Sequence, residues 1–156
     1  FSDRGHMNWN HFRMIRRLWP GHLVIKGILD VRDARLAVDS GADGIIVSNH
    51  GGRQLDGTVP PLRVLPGIVQ ACPEVPVMID SGFRRGTDVL KAVALGAKFV
   101  FVGRPFNYAA SVAGEDGVRK AIGLLREEVS RNMAMLGVNG LSELDASYLL
   151  PAHPVS

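Results

Sequence analysis

Four short apolar runs punctuate the chain at regular intervals, and each ends in a small-residue turn followed by a helical pattern. They are Leu23-Val24-Ile25, Gly44-Ile45-Ile46-Val47, Pro76-Val77-Met78-Ile79 and Phe99-Val100-Phe101-Val102. Runs that are apolar at every position, rather than at alternate ones, predict strands buried on both faces and paired in parallel. The intervening segments predict helices. Asp30 caps one with Val31, Ala34, Ala37 and Val38 inward and Gly41 as its stop, another runs from Pro60-Pro61 towards Ala71, and a third opens at Thr87 or Asp88 and closes at Gly96. After the fourth strand a helix is expected over 106–113, a break over 115–117, and a long amphipathic helix over 118–136. Before the first strand, Asn8 or Asn10 caps a helix through Leu18, and residues 1–8 read as a loop end. Residues 137–156 read as a tail with one helical turn near Ser142.

Four consecutive strand–helix units fit two α/β architectures: a small, open, doubly wound sheet, or half of a (β/α)8 barrel. In both, ligands gather at the carboxyl ends of the strands. Four strands do not close an eight-stranded barrel, so the second architecture leaves two open edges that need a partner.

Composition narrows the function classes. At 156 residues and nearly half apolar, the chain is a single domain with a core, and disorder is excluded. The net charge of +3 comes without a clustered basic run or interleaved aromatics, which argues against nucleic acid. The one cysteine, Cys72, lies beside Pro73 at a helix end, where it reads as a packing residue in a chain suited to a reducing compartment. No stretch is long enough to span a membrane and no signal-peptide pattern is present. His6, His11, His22 and His153 match no metal-ligand spacing and read as surface residues.

Chemistry is concentrated at the four strand ends. The sharpest stretch is Ser48-Asn49-His50-Gly51-Gly52-Arg53-Gln54, where a base that titrates near neutrality lies three positions from a planar guanidinium suited to a carboxylate. Its bland reading is a histidine that holds a loop. Gly82 to Gly86 and Gly103-Arg104 offer backbone N–H groups, helix starts and the cations Arg84 and Arg104, a pattern for phosphate or for plain turns with solvated arginines. Lys26 ends the first strand, either as a cation for an electron-rich ring or as a snorkelling surface residue. Asp80 ends the third, to bind sugar-chain hydroxyls or to cap the next helix.

The stretches Val24-Ile25-Lys26-Gly27-Ile28-Leu29, Ser48 to Asp56, Ile79-Asp80-Ser81-Gly82-Phe83-Arg84-Arg85-Gly86, Leu95-Gly96-Ala97 and Gly103-Arg104, in that order, resemble the FMN-dependent L-2-hydroxy-acid dehydrogenases and oxidases. That family includes glycolate oxidase, flavocytochrome b2, L-lactate dehydrogenase and (S)-mandelate dehydrogenase. The resemblance implies that residues 1–156 are the carboxyl-terminal half of one FMN-binding TIM barrel, strands five to eight. It implies oxidation of a lactate-, mandelate- or glycolate-type acid to the 2-oxo acid, with His50 as the base and Arg53 on the substrate carboxylate. Lys26, Ser48, Asp80, Ser81, Gly82, Phe83, Arg84, Gly103 and Arg104 would hold FMN, with Lys26 beside the flavin ring, Asp80 on the ribityl chain, and Gly82, Arg84, Gly103 and Arg104 around the phosphate. Ser81 and Phe83 depart from the commoner glycine and Val or Ile.

The same resemblance implies an amino-terminal half of the barrel as partner, separate or cleaved, since the first residue is Phe rather than Met. It also implies oxygen, a quinone or a cytochrome as electron acceptor, and a tetramer in the cytoplasm or peripheral on the inner membrane. The substrate-contacting tyrosines and the aspartate that orients the histidine belong to the other half, so the isolated half is expected to be inactive. The competing readings are another FMN- or phosphate-binding barrel and a non-catalytic half-barrel.

Overall fold

The computed structural model describes residues 7–150. The expected loop over 1–6, with His6, and the end of the tail, with His153, lie outside the described residues. Helix α1 (Trp9–Leu18) leads into β1 (Val24–Ile28), α2 (Val31–Asp39), β2 (Gly44–Val47), a single 3-10 turn at His50–Gly52, α3 (Pro61–Ala71), β3 (Val77–Ile79), α4 (Gly86–Ala94), β4 (Phe99–Val100) and α5 (Arg104–Leu136). The strands form one parallel sheet in the order β1-β2-β3-β4.

Ile45 and Val47 of β2 and Val77 and Ile79 of β3 share one face of the sheet and are almost wholly buried. They pack with Ala34 of α2, Leu65 and Ile68 of α3, and Ala92 of α4. The opposite face, which carries Val24, Lys26, Ile46, Met78 and Phe99 in register, is covered by no described helix. Val24 is 43% exposed, Phe99 56% and Phe101 40%. A strand order that follows the chain, with helices on one side only, is an arc of a barrel. A doubly wound sheet reverses its strand order and is layered on both faces. Burial on both faces, expected from the apolar runs, therefore holds for neither outer strand. The outer edges of β1 and β4 have no strand neighbour among the described residues.

Local signals explain most boundaries. Asn8 caps α1 by accepting the N–H groups of Asn10 and His11, and His11 Nδ1 accepts the Asn8 N–H in return, which gives this histidine a capping role. Asp30 caps α2 through the Arg32 N–H. β1 runs past the expected end at Ile25 because Lys26 pairs with Ile46. The register then slips at Gly27, whose φ of +99° makes a bulge before Ile28 rejoins Val47. β3 omits Pro76, and β4 is shorter than expected, although the Phe101 N–H still reaches the Ile79 carbonyl at 2.9 Å.

The helix after β4 begins at Arg104, two residues early, with Pro105 in its first turn, and its break falls at Ala113 and Gly114 rather than at 115–117. Over residues 138–150 the expected loop and tail pack against the body of the domain. Val138 and Leu144 are buried against Leu90 and Ala94 of α4, and two 3-10 turns form, at Leu141–Glu143 and Ala146–Tyr148. Cys72 is buried in the main core, where desolvation pushes its thiol pKa up and makes it a poor nucleophile. No helix among the described residues is long and apolar enough to cross a membrane.

Candidate active site

The four strand ends converge on a cleft of about 230 Å³. Its walls include Lys26 from β1, His50, Gly51 and Arg53 from the turn after β2, Asp80 to Arg84 after β3, and Gly103 and Arg104 at the start of α5. Every site residue expected from the sequence is here except Ser48, which is buried just behind the wall. The lining carries four basic side chains, Lys26, Arg53, Arg84 and Arg104, against the single carboxylate of Asp80. A cleft with that balance favours anionic ligands.

Lys26, Ser48, Asp80 and Ser81 form one connected network. Lys26 Nζ lies 2.9 Å from Asp80 Oδ2 and donates to Ser48 Oγ at 3.0 Å. Ser81 Oγ donates to Asp80 Oδ1 at 2.8 Å. Burial pushes the Asp80 carboxyl up, but hydrogen bonds from Ser48, Lys26 and Ser81, together with the Lys26 charge, outweigh it and hold the group below its ordinary value. Asp80 is therefore a fixed anion at the base of the cleft. Ser48 Oγ also accepts the His50 N–H at 3.1 Å, which makes this buried hydroxyl a brace under the turn.

The turn itself is left-handed at three successive residues: His50 (φ 55°), Gly51 (φ 68°) and Gly52 (φ 72°). Only glycine adopts that region freely, so two glycines here are a steric requirement and the histidine is held against its preference. The Gly51 N–H is accepted by Asn49 Oδ1 and by Ser81 Oγ, both at 3.0 Å, and the Gly51 carbonyl accepts from Arg104 Nη2 at 3.2 Å. The side chains of His50 and Arg53 are exposed and have no hydrogen-bond partner among the described residues. A Cβ built on Gly27 would lie 3.4 Å from His50 Nε2, which places the imidazole over the β1 bulge and next to Lys26.

Both helix starts were expected to offer N–H groups to an anion, and only one does. At α4 the N–H groups of Arg84 and Arg85 are accepted by Asp88 Oδ2 at 3.0 and 2.9 Å, and that of Gly86 by Glu128 Oε2 of α5 at 2.7 Å. Those donors are spent within the protein. The N–H groups of Gly82, Phe83, Gly103 and Arg104 have no protein acceptor among the described residues, and a Cβ on Gly82 or Gly103 would meet nothing within 4 Å. These four, with the Arg84 and Arg104 side chains, make an open cationic cradle suited to a phosphate monoester. The donor set thus fits the phosphate of a flavin mononucleotide.

Phe83 is 6% exposed and its ring belongs to the core cluster, so only its backbone is available to a ligand. Phe101, Val102, Pro105 and Asn107 also line the cleft and were not anticipated. The direction of Phe101 was in principle readable, because it stands two residues from Phe99 on the same strand face. The two rings are 4.8 Å apart. For Asn107, three residues into a helix, the sequence carries no signal.

Residues 2–151 match the model of a protein family described as FMN-dependent dehydrogenase. The chain belongs to this family. It is 48% identical over 145 residues to an L-lactate dehydrogenase of Pseudomonas aeruginosa, a match that takes in 92% of this chain and 38% of that one. It is 45% identical over 142 residues to an (S)-mandelate dehydrogenase of Pseudomonas putida, across 91% of this chain and 36% of the relative. Among solved structures it resembles a soluble mutant of the membrane-associated (S)-mandelate dehydrogenase from Pseudomonas putida, with a TM-score of 0.91, 43% identity, and coverage of 96% of this chain and 43% of that one. It also resembles a mandelate oxidase solved with benzoyl-formic acid, with a TM-score of 0.85, 48% identity, and coverage of 92% and 43%. The chain therefore spans roughly two fifths of the length of the relatives it matches. The one-sided sheet agrees with that proportion.

Proposed function

We propose that the chain is the carboxyl-terminal part, strands five to eight, of a barrel enzyme that oxidises an L-2-hydroxy acid to the 2-oxo acid with FMN. The observation that carries the reading is the juxtaposition of two anion sites in one cleft. The cradle of Gly82, Gly103 and the two arginines Arg84 and Arg104 suits a phosphate, and the guanidinium of Arg53, unpartnered among the described residues, suits a carboxylate, with His50 and Lys26 lining the same cleft.

FMN held here would supply the acceptor for the C2 hydrogen together with its two electrons. Arg53 takes the substrate carboxylate through two parallel N–H bonds, which fixes the acid in one orientation. His50 receives the 2-hydroxyl proton on a ring nitrogen as the carbonyl forms, from its place over the β1 bulge at the cleft wall. Lys26 would hold the flavin ring and offer a positive charge to it, and its pairing with Asp80 keeps the ammonium in the cleft. Asp80 retains a lone pair for the polyol hydroxyls after accepting from Lys26, Ser48 and Ser81. The strands that complete the barrel would cover the open sheet face and exclude water, and until they do the cleft is too open for efficient chemistry.

The test is anaerobic. The intact enzyme should be yellow, and an L-2-hydroxy acid such as lactate or mandelate should bleach it without oxygen. His50→Gln should keep the colour and slow bleaching by about a hundredfold or more, the scale of a lost general base. A His50→Gln variant that bleaches at the parental rate would remove the base from the mechanism.

A further inference from the structure

Ser81 sits at φ +79°, a backbone state that residues other than glycine avoid. An observed outlier of this kind invites a question about what the side chain does in return. Its hydroxyl makes two short contacts in different directions. It donates to Asp80 Oδ1 at 2.8 Å, and it accepts the N–H of Gly51 at 3.0 Å across a separation of thirty residues. Ser48 Oγ lies 3.4 Å away. The carbonyl of the same Gly51 is held by Arg104. The peptide groups on either side of Gly51 are therefore gripped from the end of β3 and from the start of α5, while the His50 and Arg53 side chains extend from the turn with no hydrogen-bond partner among the described residues.

We propose that Ser81 is a positioning residue, which ties the turn bearing His50 and Arg53 to Asp80 so that base, guanidinium and the Lys26–Asp80 pair keep a fixed separation. This rests on the reading that His50 and Arg53 serve the substrate. Without the Ser81 hydroxyl the Gly51 N–H keeps only Asn49 Oδ1, a bond internal to the turn that does not anchor it to the sheet. The role differs from direct contact with FMN, which a hydroxyl occupied on both sides serves poorly.

Two substitutions separate the hydroxyl from the backbone. Ser81→Gly suits φ +79° and removes only the oxygen; Ser81→Ala removes the same oxygen and keeps the unfavourable backbone. In the intact FMN-loaded enzyme both should raise KM and lower kcat, so that kcat/KM falls about tenfold, the scale of one lost hydrogen bond, while FMN affinity changes less than about twofold. Ser81→Gly should melt no lower than Ser81→Ala. In the flavin-free protein, hydrogen exchange of the Gly51 amide should accelerate in both variants. Parental kcat/KM in Ser81→Gly overturns the proposal, as does a loss of FMN affinity as large as the loss of kcat/KM, which would make Ser81 a direct flavin contact. If the parent enzyme bleaches with no L-2-hydroxy acid, the functional reading fails instead, and Gly51 exchange alone still decides whether Ser81 anchors the turn.

Discussion

The two faces of the sheet are built from the same apolar strands and have opposite fates. On one, Ile45, Val47, Val77 and Ile79 are sealed by α2, α3 and α4. On the other, Val24, Ile46, Met78 and Phe99 form an apolar wall with nothing described against it. The candidate cleft sits at the upper rim of the uncovered side, where Lys26 and Asp80 continue the alternation that places Val24 and Met78 below them. The covered face thus carries the core of the described residues, and the open face is an apolar surface with no layer over it among them. Hydrophobicity alone does not separate the two, because a residue waiting for a partner and a residue already packed look alike in a list of valines and isoleucines.

The largest effect expected is on the sealed side. Ile79→Ala should lower unfolding free energy by about 3 kcal/mol, the usual cost of truncating a large buried aliphatic residue, read as a shift of the urea midpoint. An unchanged midpoint would mean that the helices do not seal that face. Next comes the helix layer. Glu128→Ala leaves the buried Gly86 N–H without an acceptor and should cost about 1–2 kcal/mol.

The open face should respond least. In the 156-residue chain alone, Phe99→Ser should change stability by less than about 0.5 kcal/mol, as an exposed side chain does. In the intact enzyme the same change should be as costly as Ile79→Ala. Equal small effects in both would show that the wall is never covered.

A pH series sharpens the contrast at the rim. The Asp80 carboxyl is held below its ordinary value in the folded state, so its contribution is complete above that value and is lost as pH falls through it toward the folded one. Asp80→Asn should flatten this acid limb and leave stability near neutral pH lower. An acid limb of unchanged shape would mean that the Lys26–Asp80 pair is not formed in solution.

The features legible in the sequence were those whose cause is local. Asn8 and Asp30 announce their helices, Pro105 marks a first turn, and the Ser48–Gln54 stretch carries its left-handed glycines within itself. What escaped depends on distant partners. Nothing near Gly86 reveals that a glutamate 42 residues later takes its N–H and removes that helix start from the anion site. Nothing near Ser48 reveals that its hydroxyl is buried under His50. The choice between an open sheet and a barrel arc also lay outside any single segment, because it turns on which side the helices fall. The bulge at Gly27 was missed for the opposite reason. A glycine inside an apolar run looks like a strand end, and only pairing on both sides of it shows that the strand resumes.

The free margins of β1 and β4 have a consequence for handling the molecule. Each presents a ladder of amide donors and carbonyl acceptors ready to recruit any extended peptide, including another copy of itself. Open margins of this kind would make the chain's persistence in dilute buffer depend on its concentration.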